Sequence, residues 1–220
     1  MYKYCLFDFD GTLADSSECS VIATRGAFES FGLSAPSAEQ IVHFMGIPIE
    51  ISFREMGAAH FSEEQFSQLL SRFREIYREA GDTHITAFPG AVAFLQQLKA
   101  AGKKTAIITS KKTDVAQRNA QSIGLAEYID LFIGSDSVEH YKPHPQGIEV
   151  ALQSFGAESP GKDNAIMIGD ATTDIMMGKS AGVSTCAVTW GAHSREQLLA
   201  SQADYLVDDF PAMLGIFKAE

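Results

Sequence analysis

Cys5-Leu6-Phe7-Asp8-Phe9-Asp10-Gly11-Thr12-Leu13 decides how the rest of the chain is read. An apolar run carries two carboxylates to its end, and a glycine follows at once. Two acids one residue apart lie on opposite sides of an extended strand. If the strand breaks at Gly11, both reach one point just past its tip. Burying two such charges is costly unless a cation or a shared proton relieves their repulsion. The plainer alternative is a strand that merely ends in a polar turn, and the partners found further along the chain weigh against it.

Beyond Leu13, Asp15-Ser16-Ser17-Glu18 offers a capping box for a helix through about Phe31, stopped by Gly32. Ile41, Val42, Phe44 and Met45 suggest a short second helix, Met45-Gly46-Ile47-Pro48 breaks it, and a third runs from about Ile49 to Met56. A second capping box, Ser62-Glu63-Glu64-Gln65, opens the clearest helix. There Phe66, Leu69, Leu70, Phe73, Ile76 and Tyr77 keep the spacing of one buried face. No strand is expected between about 15 and 85. From Phe88-Pro89-Gly90 onward, helices alternate with apolar strands at 105–109, 131–133, 165–168, 185–188 and 205–207, which predicts a parallel sheet with helices on both faces. The fold class is therefore α/β and Rossmann-like, with an inserted all-helical domain.

The insertion follows from arithmetic. A βαβ unit needs about 30 residues, yet 98 separate Asp10 from Thr109. Seven of the fifteen Phe fall in the excess (Phe28, Phe31, Phe44, Phe53, Phe61, Phe66 and Phe73), enough for a core of its own. The expected division is an α/β domain of 1–14 and 86–220 and a helical domain of 15–85. The alternative is a set of extra helices packed on the side of the sheet.

Charge narrows the partners. Against 28 acids stand 17 Lys and Arg, a net charge of −11 that repels nucleic-acid backbones and anionic lipid. Neither is expected as a partner, and an anionic substrate would need cations gathered locally. Cys5, Cys19 and Cys186 are scattered, with no disulfide framework, and no segment resembles a signal peptide or a bilayer span. The expectation is a cytoplasmic protein, monomeric or homodimeric. His140 and His144 are four apart, but Pro143 and Pro145 preclude the helix that would align them for zinc. Lone Trp190, ahead of Gly191, reads as packing at a strand exit.

Asp8-Phe9-Asp10-Gly11-Thr12 resembles the first motif, DxDGT, of the haloacid dehalogenase superfamily in its phosphatase branch. Gly169-Asp170-Ala171-Thr172-Thr173-Asp174, after an apolar strand, is similar to the family's last motif; Thr109 and Lys142 match the second and third. The resemblance covers nearly the whole chain and comes nearest to the phosphoglycolate phosphatase-like group, with a helical cap between first and second motifs. It implies strand order 5-4-1-2-3, a site between the strands ending at Asp8 and Gly169, and roles residue by residue. Asp8 would be the nucleophile, and Asp10 the acid/base whose backbone carbonyl helps hold a metal. Thr109 would bond a phosphoryl oxygen and Lys142 would compensate the clustered acids. Mg2+ would be held by Asp8, Asp10 and Asp170, with Asp174 orienting them or binding through water. Such an ion suits the chemistry, because a carboxylate approaching an anionic phosphate is otherwise repelled.

Substrate contacts are expected at the backbone N–H groups around Gly11 and Thr12, at Ser110 beyond the second strand, and at Gly46 and Ile47, since a similar Gly-x-Pro loop in related caps reads the substrate. Lys111 competes with Lys142 for the third motif. The function implied is Mg2+-dependent hydrolysis of a small phosphorylated metabolite through an aspartyl-phosphate. A sugar-phosphate mutase resembling β-phosphoglucomutase and a pyrophosphatase are alternatives on the same motifs. A receiver domain and a catalytically silent scaffold are alternatives of other classes.

Overall fold

The computed structural model describes residues 2–157, 161 and 163–218. The chain divides into two compact units: one comprises the segments up to Asp15 and from Ala87 onward, the other Ser16–Thr86. The boundaries fall one residue beyond those expected from the sequence.

The first unit is built on a six-stranded sheet. Its strands are β1 (Tyr4–Phe7), β4 (Lys104–Ile108), β5 (Leu131–Ile133), β6 (Ala165–Gly169), β7 (Ser184–Val188) and β8 (Tyr205–Val207), in the order β5-β4-β1-β6-β7-β8. All pairings are parallel. This is the implied order with one further edge strand, β8. The connections are α5 (Ala91–Ala100), α6 (Thr113–Ser122), α7 (Gln146–Ser154), α8 (Thr172–Ser180) and α9 (Arg195–Ala200), with α10 (Phe210–Lys218) closing the chain.

Both faces of β1 are buried, which is why it reads as a continuous apolar run. Tyr4 and Leu6 join a core of Ala106, Ile108, Met167, Ile148 and Leu152. On the opposite face Phe7 meets Phe94 of α5 with ring centroids 6.1 Å apart, and Phe94 in turn touches Phe210 and Phe217 of α10 at 5.5 and 5.7 Å. At about 25 cal/mol per Å² of apolar surface, each such aromatic contributes several kcal/mol before entropy is subtracted.

The second unit is helical: α1 (Ser17–Ser30), α2 (Ala38–His43), α3 (Ile49–Phe53), a π-helical turn at Arg54–Ala58 and α4 (Glu63–His84). The face expected on α4 is the buried one, with Phe66, Leu69, Leu70, Phe73 and Tyr77 all inside. Phe53 packs edge-on to both Phe28 and Phe73, at 5.2 and 5.1 Å. α1 comes close to α4 at Gly26, where a Cβ would stand 3.0 Å from Ile76 Cδ1, tighter than ordinary contact.

Local details correct the sequence reading. The Ser62/Gln65 capping box forms, but the helix expected to be capped by Asp15-Ser16-Ser17-Glu18 has its N-cap one residue later, at Ser16, whose φ −119° and ψ 12° lie away from the extended backbone that aims a hydroxyl at the N3 amide. The third helix ends three residues early in the π turn, where Gly57 takes φ 135°. A two-residue pairing of β2 (Ala14–Asp15) with β3 (Thr86–Ala87) and helix α9, which carries its own Ser194/Gln197 capping box, were not anticipated. No described helix is long and apolar enough to cross a membrane.

Candidate active site

The strands of the sheet deliver their carboxyl ends to one edge, and β1 lies in the middle of it. Asp8 stands one residue past β1 and donates its N–H to the Ile168 carbonyl of β6, 2.9 Å away. The chain then turns sharply: the amides of Leu13 and Ala14 both donate to the Phe9 carbonyl, at 3.0 and 2.9 Å. Gly11 makes this turn possible. It takes φ 80°, and a Cβ there would lie 2.3 Å from Asp170 Oδ2.

Asp170 follows β6 directly, and Asp174 sits in the first turn of α8. Ligand oxygens of Asp8, Asp170 and Asp174 lie within 4.8 Å of one another, all three residues buried. Lys142, from the loop before α7, enters this group. Its Nζ donates to Asp8 Oδ1 at 2.6 Å and to Asp174 Oδ1 at 2.7 Å, from a side chain 6% exposed. The Lys142–Pro143 peptide is cis.

The neutral contacts are equally specific. Asp170 accepts the Thr12 hydroxyl at 2.9 Å and the Ala192 N–H at 2.7 Å, while Asp174 Oδ2 accepts the Ala171 N–H at 3.0 Å. Trp190 donates its indole N–H to the Thr12 carbonyl at 3.1 Å, supporting the turn that presents the hydroxyl. Gly169 and Gly191 complete the enclosure. Side chains there would come within 2.3 Å of Asp174 Oδ2 and 2.2 Å of Asp170 Oδ2.

Charge in this enclosure does not balance. Burial raises the Asp8 carboxyl well above its ordinary range; Lys142 opposes this, and Asp174, Asp170 and Asp10 add to it. Asp170 is pushed up to about 6 by burial and by Asp174, against the pull of Ala192 and Thr12. For Lys142 burial acts downward, but Asp174 and Asp8 outweigh it and raise the ammonium above its usual range. Three carboxylates against one ammonium leave an excess of negative charge built from hard oxygen donors. That set fits a small divalent cation.

Asp10 is placed differently. Its carboxylate is outside the group of three and is paired with Lys111 Nζ. Thr109 follows β4, beside β1, and is buried; its N–H donates to the Ile133 carbonyl at 3.0 Å, and its hydroxyl accepts the Lys111 N–H at 3.2 Å. Ser110 stands next to it on the same edge. Gly46, at φ 90°, and Ile47, 36% exposed, belong to the helical unit, between α2 and α3. Between the competing lysines the geometry distinguishes clearly: Lys142 takes the acid cluster and Lys111 takes Asp10. His140 and His144 do meet, rings 4.6 Å apart, but His144 Nδ1 accepts the Gln146 N–H at 3.2 Å.

Sequence reasoning missed Gly191, Ala192 and the role of Lys111 at Asp10. Ala192 acts through its backbone N–H and leaves no side-chain signature. Gly191, directly after the lone Trp at a strand exit, was the one available signal.

Comparison with known proteins places the chain in a family. A family model for haloacid dehalogenase-like hydrolases matches residues 5–188. A Dickeya dadantii protein designated a probable phosphatase, IndB, is 32% identical over the whole of this chain and 95% of its own. The pyrophosphatase PpaX of Bacillus velezensis is 29% identical, covering 96% of this chain and 94% of its own. Among solved structures, a haloacid dehalogenase-like hydrolase from Streptococcus pneumoniae superposes with TM-score 0.84 at 31% identity, covering 99% of both chains. One described as a predicted phosphoglycolate phosphatase, from Haemophilus somnus, shares the fold at TM-score 0.91 and 24% identity over 99% of this chain and 98% of its own. The chain belongs to the haloacid dehalogenase-like hydrolases and is an enzyme of that family.

Proposed function

We propose that this protein is a Mg2+-dependent phosphomonoester hydrolase that works through a phosphorylated Asp8. The observation that carries the reading is Lys142 bridging Asp8 and Asp174, with Asp170 beside them, at the carboxyl edge of a parallel sheet. A cation at Asp8, Asp170, Asp174 and the Asp10 carbonyl would offset the charge of an approaching phosphate and orient it for in-line attack.

In the first half of the cycle an Asp8 carboxylate oxygen attacks phosphorus and the bond to the leaving oxygen breaks. Asp10 supplies the proton that the leaving oxygen takes up. In the second half Asp10 receives a proton from water as that water attacks phosphorus, and the Asp8–phosphorus bond breaks, returning Asp8 as carboxylate. Lys142 offsets charge on Asp8 and the transferring group throughout. Thr109 and Ser110 supply hydroxyls, and Gly11 and Thr12 amides, to the phosphoryl oxygens. Asp174 steadies Lys142, and Gly46 with Ile47 contributes to substrate choice.

The relatives' names, phosphatase and pyrophosphatase, support phosphate release from a small molecule. The net charge of −11 favours such a substrate over nucleic acid or an anionic membrane. Three buried free cysteines suit the reducing cytoplasm. The test is a panel of phosphoglycolate, hexose phosphates, nucleotides and pyrophosphate, assayed with Mg2+ and with chelator. Metal-stimulated phosphate release is expected from at least one compound. No release from any, or isomerised hexose phosphate in place of free phosphate, overturns the reading.

A further inference from the structure

The two lysines at the carboxyl edge have separate partners, and only one is accounted for by the transferring phosphoryl group. Lys142 is committed to Asp8 and Asp174. Lys111 is committed to Asp10 and is held there by its own backbone: its N–H donates to Thr109 Oγ1 at 3.2 Å, and its carbonyl accepts the Ser135 N–H at 2.8 Å. This pins the residue between the exits of β4 and β5. Gly134 lets the two loops close, since a Cβ there would lie 2.7 Å from the Lys111 carbonyl oxygen. From that anchor the side chain, 15% exposed, passes by the Phe9 ring, its Nζ 5.6 Å from the centroid, and ends on the Asp10 carboxylate.

Resting on the hydrolase reading above, we infer that Lys111 forms a leaving-group subsite that selects substrates carrying a negative charge next to the scissile oxygen. A residue that exchanges a proton with the leaving oxygen must come within about 3 Å of it. A lysine hydrogen-bonded to the same carboxylate is also about 3 Å from it. The ammonium therefore lies within roughly 8 Å of the leaving oxygen, a reach set by those two contacts and the spacing of the carboxylate's two oxygens. A carboxylate one carbon away, or the second phosphate of a diphosphate, falls inside that reach. A neutral alcohol offers Lys111 nothing.

The surrounding charge makes this cation count. In a chain of net charge −11, with four acids along this edge, an anionic leaving group is repelled unless a fixed ammonium receives it. Opposite unit charges about 4 Å apart near a protein surface are worth on the order of 10²- to 10³-fold in an equilibrium. Competition from Asp10 for the same ammonium reduces the expected discrimination to roughly 10- to 100-fold.

The test compares phosphoglycolate with its uncharged carboxamide, two substrates that differ only in the charge of the leaving group. With Mg2+ present, the kcat/KM ratio of carboxylate to carboxamide is measured for the parent protein, Lys111→Met and Lys111→Arg. The parent ratio is expected to exceed 1, to collapse about 10- to 100-fold in Lys111→Met, and to recover most of the way in Lys111→Arg. Retained hydrolysis of the carboxamide by Lys111→Met reports a folded site. If both substrates fall by the same factor, Lys111 only steadies Asp10 and the subsite is overturned; an unchanged ratio with unchanged rates overturns it equally. A parent protein that hydrolyses neither these nor any phosphate ester contradicts the hydrolase reading instead.

Discussion

In chelator-treated buffer, Asp170→Asn is expected to melt at a higher temperature than the parent protein. Asp170 sits at about 6 against 3.8 for an unhindered carboxyl. At about 1.4 kcal/mol per pH unit, keeping it ionised near neutral pH costs the fold about 3 kcal/mol. Asparagine preserves the shape. Its carbonyl can still accept the Ala192 N–H, and the Thr12 hydroxyl can turn to accept its amide. Allowing about 1 kcal/mol for imperfect hydrogen bonds leaves a gain of about 2 kcal/mol.

For a chain of this size that corresponds to roughly 4–8 °C in Tm. Trp190 is the sole tryptophan and touches the Thr12 carbonyl, so its fluorescence follows unfolding of the α/β unit. The sign with pH is fixed. The raised pKa means the native state holds an extra proton between about pH 4 and 6, so this group's contribution to stability falls as pH rises across that window. The advantage of Asp170→Asn should thus be full above about pH 6 and vanish near pH 4. A variant that melts lower than the parent at neutral pH, or whose advantage persists at pH 4, refutes the account of a charge-strained enclosure.

Adding Mg2+ should reverse that ranking: the parent gains about 2.7 kcal/mol at one hundred times its dissociation constant, and Asp170→Asn gains much less, read as the Tm rise in a titration. Gly191→Ala brings a methyl within 2.2 Å of the Asp170 carboxylate. It should cost about 1–3 kcal/mol and weaken Mg2+ binding at least tenfold, by calorimetry. Ser62→Ala removes the capping-box hydroxyl of α4; about 1 kcal/mol of helical-unit stability should go, with kcat unchanged when assayed well below the melting range.

Strand ends are where sequence was most informative. Asp8, Asp170 and Thr109 each close an apolar run that must be a buried strand, so their arrival at one edge follows from the parallel sheet itself. The face of α4 was legible for the same reason: one period repeats from Phe66 to Tyr77. Lys142 was assigned through resemblance alone, because a flexible loop side chain has no period to read. Lys111 and Lys112 are adjacent in sequence, and only three-dimensional geometry shows which one meets Asp10. Ala192 was illegible in a deeper sense. Its contribution is a backbone amide aimed at Asp170, which nearly any residue could have donated, whereas its neighbour Gly191 is dictated by lack of room. Asp15-Ser16-Ser17-Glu18 shows the converse error: the letters spell a cap, but Ser16 takes the N-cap position with backbone angles that do not aim its hydroxyl into the helix.

The claim underlying the whole mechanism is covalent phosphorylation of Asp8. It is tested by rapid acid quench of enzyme with a turned-over phosphate ester, followed by peptide mass spectrometry. The account predicts a transient acid-stable, base-labile phosphate on the peptide containing Asp8, absent in Asp8→Asn, which should turn over at least about 10⁴-fold more slowly while remaining folded. Full-speed phosphate release by Asp8→Asn, or a phosphoryl group found on a different residue, would contradict it.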